Sequence, residues 1–122
     1  MTSRGYAFTI GFLLPALALG EFLNQRSGSA FVASIPWLTT THALVGIAGL
    51  ASYLTVGHLA RSFAQLVGLA ALGVAILGFL PAHADTLASS ILGAPVPMLE
   101  TVIHLLVGVG GVFAGFGGSR DE

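Results

Sequence analysis

The sequence predicts an all-α integral membrane protein: four transmembrane helices in two tandem helical hairpins, related by a pseudo-two-fold axis along the membrane normal, with short interfacial segments in the two outer loops. Three observations carry this reading. Hydrophobic residues make up 55% of the 122 residues and charged ones only 7%, against about 25% charged in ordinary soluble domains. Four apolar windows follow one another along the chain. A stretch around His42 returns around His104, and a stretch around Arg4 returns around Arg61.

The first window runs from Tyr6 to Leu23, and its eighteen residues extend about 27 Å as a helix, close to the hydrocarbon thickness of a bilayer. Arg4 before an apolar core, with Ala16-Leu17-Ala18 following, also fits a secretory signal. The internal relative of this segment argues that it is a retained span. Pro15 sits mid-span and is expected to kink the helix, leaving the Gly11 carbonyl without its usual donor.

Residues 24 to 40 are too many and too apolar for a simple turn, and Phe31 to Leu38 read as an element lying on the membrane surface with Trp37 at headgroup level. Thr39, Thr40 or Thr41 then caps a second span that reaches about His58. Five residues, Leu59 to Phe63, lead into a third span that ends at Leu80 before Pro81, so spans 2 and 3 are antiparallel. A second outer connection, Ala82 to Glu100, holds another small apolar piece, Leu87 to Leu92. The fourth span runs from Thr101 to about Phe116 and stops at Gly117-Gly118.

The repeat fixes how these pieces relate. At an offset of 57, Arg4, Ala7, Gly11, Ala18, Phe22 and Leu23 fall on Arg61, Ala64, Gly68, Ala75, Phe79 and Leu80, with Tyr6 on Phe63. At an offset of 62, Thr39, His42, Val45, Gly46 and Gly49 fall on Thr101, His104, Val107, Gly108 and Gly111. Coincidences among apolar letters are cheap, but Arg on Arg and His on His in register are not. The repeat units are residues 4 to 58 and 61 to 118, within one domain, and an even number of spans in each unit gives both the same orientation. Arg4, Arg61 and Arg120 share one side and Arg26 lies on the other, so both termini are expected in the cytoplasm, across a bacterial inner or thylakoid membrane.

Several function classes are excluded by composition. No basic run offers a footprint for nucleic acid. Cysteine is absent, which rules out thiolate sites and disulfides. The glycines of the fourth span are no phosphate loop, because no Lys-Ser or Lys-Thr follows them. No nucleophile stands with a base, so an enzyme is not expected.

What remains is the histidine pair. His42 and His104 occupy equal depth near the outer ends of the even spans, each followed on the same helical face by glycines, Gly46 and Gly49 or Gly108 and Gly111. A neutral imidazole can ligate the metal of a macrocycle, haem b or chlorophyll, with Gly46 and Gly108 clearing room for a flat ring. Alternatively each histidine hydrogen-bonds a nearby carbonyl and the glycines let helices approach. Glu21, at the end of the first span where the third has Gly78, either reaches water or Arg26, or accepts the free N–H of a histidine and fixes its tautomer. His83 and Asp85 fall in a loop, and Glu100 suits the first turn of a helix, where negative charge meets the dipole.

Paired hairpins, Arg-x-aromatic-Ala opening the third span, Gly-Phe-Leu-Pro closing it and His-x-x-x-Gly-x-x-Gly on the even spans together resemble a bacterial and cyanobacterial family of small four-helix membrane proteins known only as a domain of unknown function. That family's pattern places Asn three residues before each histidine, where this chain has Thr39 and Thr101. The resemblance implies a fold and a membrane location. The function expected first is a non-enzymatic structural or accessory subunit, packing in the lipid bilayer against other membrane subunits or copies of itself. A haem- or chlorophyll-binding subunit through His42 and His104 is the second expectation, and a small transporter or channel subunit the third.

Overall fold

In the computed structural model the described residues are 1–27, 36–80 and 96–117, and among them there is no strand. The helices are α1 (Ser3–Ser27), α2 (Pro36–Leu54), α3 (Gly57–Phe79) and α4 (Met98–Val112), the last running into a π-helical turn at Phe113–Gly117. Three segments, Ser3–Ser27, Gly57–Phe79 and Met98–Gly117, are long and apolar enough to cross a membrane. The 19-residue α2 carries Thr39, Thr40, Thr41 and His42 in its first two turns and is not among them.

Burial is the reverse of a soluble domain's. Leu66, Phe113, Leu106 and Ile76 are each more than 60% exposed, while Ser3, Glu21, Asn24, His42, Thr101 and His104 are buried. Apolar side chains directed outward with small and polar ones inside is the arrangement for which lipid is the solvent. The chain is a helical membrane protein.

α1 packs along α2 and α3 along α4, with α1 and α3 also in contact. Small residues let the backbones meet. A Cβ on Gly49 would come 2.8 Å from the Ala7 carbonyl oxygen and 3.1 Å from the Gly11 nitrogen. One on Gly111 would come 2.8 Å from the Ala64 carbonyl oxygen and 2.5 Å from the Gly68 Cα. Gly46 seats the Pro15 ring, and Gly108 seats Leu72. α1 continues through Pro15, whose ring thus fills a notch in the neighbouring helix. Between the two helix pairs Tyr6 and Phe63 stand 6.4 Å apart, the Tyr6 hydroxyl donates to the Val107 carbonyl at 3.0 Å, and Ser3 donates to the Ala114 carbonyl at 2.8 Å.

Element boundaries differ from the sequence reading at three places. Pro36 opens α2, so Trp37 belongs to this helix and the expected threonine caps lie inside it. Proline is pre-shaped for a first helical turn, and Thr40 and Thr41 bond back to the Pro36 and Trp37 carbonyls at 3.0 and 2.8 Å. α2 stops at Leu54, only Thr55 and Val56 intervene, and His58 falls in the first turn of α3. Val56, with an extended backbone at φ −86° and ψ 146°, makes that break, and a polar residue at a membrane boundary suits the start of one helix as well as the end of another. α4 begins at Met98 after Pro97, three residues before the expected Thr101. The expected interfacial pieces at 31–35 and 87–92, with His83 and Asp85, lie outside the described residues.

Candidate functional site

Near the start of α2 and the second turn of α4, two imidazoles face each other across the bundle. The rings of His42 and His104 have centroids 5.5 Å apart and planes inclined by 44°. Both side chains are buried, at 4% and 7% exposure.

Each ring is fixed through its Nδ1. His42 Nδ1 lies 2.7 Å from Oε1 of Glu21, which reaches in from the last two turns of α1 and is fully buried. The carboxylate oxygen accepts, the Nδ1–H donates, and Arg26 instead lies over the Phe22 ring. His104 Nδ1 donates at 2.7 Å to the Glu100 carbonyl oxygen, one turn earlier in its own helix. A carbonyl can only accept, so the proton of a neutral His104 is assigned to Nδ1. In both rings Nε2 makes no hydrogen bond among the described residues. An imidazole whose Nδ1–H is held by a carboxylate or backbone carbonyl, with the second nitrogen bare, is the form in which histidine meets a ligand.

A cavity of about 190 Å³ adjoins the pair. Leu38, Thr41 and Val45 of α2 form one wall and Val67, Ala71 and Val74 of α3 the facing one. Leu14, Ile103 and Val107 close the back. Trp37, Thr41 and Ala70 are exposed and rim the opening between α2 and α3.

The sequence-derived site residues come together in part. His42, His104 and Glu21 form one cluster. Gly46 and Gly108 do not border the cavity, because Pro15 and Leu72 take the room beside them. Glu100 sits in the first turn of α4 as expected, and its backbone also orients His104. The apolar wall on α3 escaped sequence reasoning, although Val67, Ala71 and Val74 fall at i, i+4 and i+7 on one helical face.

The size of the cavity limits what it holds. A void of about 150 Å³ lined by apolar side chains accommodates one benzene ring, so 190 Å³ admits one substituted six-membered ring. No group of three histidine, aspartate or glutamate side chains placed to hold a metal ion occurs among the described residues. Comparison with protein-family models, curated proteins and solved structures finds no match to this chain.

Proposed function

We propose that the chain is a small, non-enzymatic integral membrane protein that works as a binding module within the bilayer, with the imidazole-bordered cavity as its working part. One observation carries this: two buried histidines, each with Nδ1 tied and Nε2 bare, border an apolar void open between α2 and α3. A bare acceptor facing an apolar space is costly unless something arrives to satisfy it.

The arrangement around the site also favours four spans in two repeated hairpins. Contacts pair off at repeat positions: Gly46 on Pro15 with Gly108 on Leu72, and Gly49 on Ala7 and Gly11 with Gly111 on Ala64 and Gly68. Arg4 donates to the Tyr53 carbonyl and Arg61 to that of Gly115, another equivalent pair. Tyr6 and Phe63 meet, as do His42 and His104, as equivalents meet at a two-fold axis. Arg4 and Arg61 on one side support reading that side as the cytoplasmic face of a bacterial membrane.

A second reading, an accessory subunit packing against a larger complex or itself, draws support from the broad apolar exterior. The glycine faces that first suggested it are engaged within the hairpins, which favours the binding module.

The test uses the single tryptophan, which lies at the mouth of the cavity. Titration of the detergent-solubilised protein with bromotoluene should quench Trp37 emission with a saturable component, and Val74→Phe, which fills the void, should remove that component. Quenching that rises linearly in both proteins overturns the proposal.

A further inference from the structure

Resting on the binding-module reading, we propose that the cavity receives a membrane-soluble phenol or quinol. A single six-membered ring occupies the void, its hydroxyl donates to the bare Nε2 of His42 with His104 as neighbouring acceptor, and an alkyl tail leaves between α2 and α3 into the lipid.

The electronic character of the site selects a donor. With Nδ1–H of both rings committed to Glu21 and to the Glu100 carbonyl, each neutral imidazole offers the cavity a lone pair and no proton. Ketones, esters and ethers have only acceptors to offer in return, and two lone pairs facing one another leave both unsatisfied. A hydroxyl supplies the missing proton.

Glu21 makes the two acceptors unequal. A carboxylate holding Nδ1–H raises the basicity of the other ring nitrogen, so the Glu21–His42 pair presents the stronger acceptor. The equivalent position in the second hairpin is Gly78, whose space is filled by Thr101, so His104 has only a backbone carbonyl behind it. The second oxygen of Glu21, Oε2, is buried and has no hydrogen-bond partner among the described residues. Retaining such a carboxylate inside an apolar bundle is costly for a fold that needs only packing, and it fits a site that needs one strong acceptor.

The shape selects a ring with a tail. The void has room for one substituted ring, and its walls are apolar except at the imidazoles and at Thr41, whose hydroxyl donates to the Trp37 carbonyl. Its rim at Trp37 and Ala70 opens on the exterior that faces lipid. A metal ion, which the same nitrogens would also attract, has no use for the apolar walls and finds no third ligand among the described residues.

The experiment compares a brominated alkylphenol with the brominated alkylbenzene that lacks only the hydroxyl. Saturable quenching of Trp37 is the readout, and each probe is corrected for partition into detergent. In the wild-type protein the phenol should bind at least tenfold more tightly. Glu21→Gln, which still accepts from Nδ1–H but without the charge, should shrink that ratio severalfold. His42→Leu should bring it close to one while alkylbenzene binding persists. Should His42→Leu fail to fold, Glu21→Gln and His104→Leu still give the ratio. Saturable binding of both probes with equal affinity, or a ratio unmoved by every variant, overturns the phenol assignment and leaves the binding module standing. Absence of saturable binding by either probe overturns both.

Discussion

His104 is held by the Glu100 carbonyl of its own helix, 2.7 Å away, whereas the facing His42 is held at the same distance by the carboxylate of Glu21 on another helix. The two imidazoles therefore fail differently when removed. Loss of His104 leaves a helical carbonyl that has lost one extra donor, at a cost of about 1 kcal/mol. Loss of His42 strands a fully buried carboxylate, a change that costs about 3 kcal/mol or more. Thermal unfolding in mild detergent should show His42→Ala far less stable than His104→Ala, and equal losses would refute the asymmetry.

The same pair supports a double-mutant cycle. Glu21→Leu alone leaves the buried Nδ1–H of His42 without an acceptor, at about 1 to 3 kcal/mol, and His42→Leu alone leaves the acid. The double variant removes both polar groups and packs two apolar side chains in their place, which is often close to neutral in such settings. The expected result is a double variant more stable than either single one, with a coupling energy of about 4 kcal/mol or more. Additive losses would mean that the two groups do not depend on each other.

Glycines divide sharply by what surrounds them. Gly111→Ala drives a methyl group against the backbone of α3, where neither Gly68 nor Ala64 can step aside, and should cost about 2 kcal/mol. Gly73→Ala and Gly20→Ala meet nothing within 4 Å and should be neutral or stabilise their helices by up to about 1 kcal/mol. Unfolding midpoints of the three variants check the contrast, and a destabilised Gly73→Ala would point to an occupied outer face.

Much of this organisation is legible in the residues, for physical reasons. Apolar windows of spanning length mark helices, because a span must satisfy its own backbone hydrogen bonds. Equal depth of His42 and His104 is legible in the sequence, but whether their helices turn toward one another or outward is not, and in the structure the rings stand 5.5 Å apart. Boundaries were harder to read: Thr39 to Thr41 suit a cap, but their hydroxyls are equally served by carbonyls one turn back. The role of Gly46 and Gly108 was not legible either. Periodicity places them on the histidine face but does not say whether a ligand or the Pro15 ring fills the space. Glu21 was ambiguous because a carboxylate two turns from a helix end can reach outward as easily as inward. The cavity itself is a sum of small deficits at Ala71, Val67 and Val74, which no single residue announces.

Arg61 provides the last test, because it ties down a segment of unusual geometry. The π-helical turn Phe113–Gly117 widens the end of α4, and its Gly115 carbonyl accepts from Arg61 Nε at 2.9 Å and from Gln65 Nε2 at 2.9 Å. A comparable tie between α1 and α2 runs from Arg4 Nη2 to the Tyr53 carbonyl at 2.9 Å. A bond from a charged donor of this kind contributes about 1 kcal/mol at a half-exposed site, which is roughly a fivefold change in a local opening equilibrium. In hydrogen exchange of the protein in lipid nanodiscs, Arg61→Leu should speed exchange of the Ala114–Gly117 amides about fivefold and leave the end of α2 unchanged. Arg4→Leu should do the converse at Ser52–Leu54. If both variants loosen both ends alike, the arginines do not act as separate ties, and the two helix pairs open as one cooperative unit.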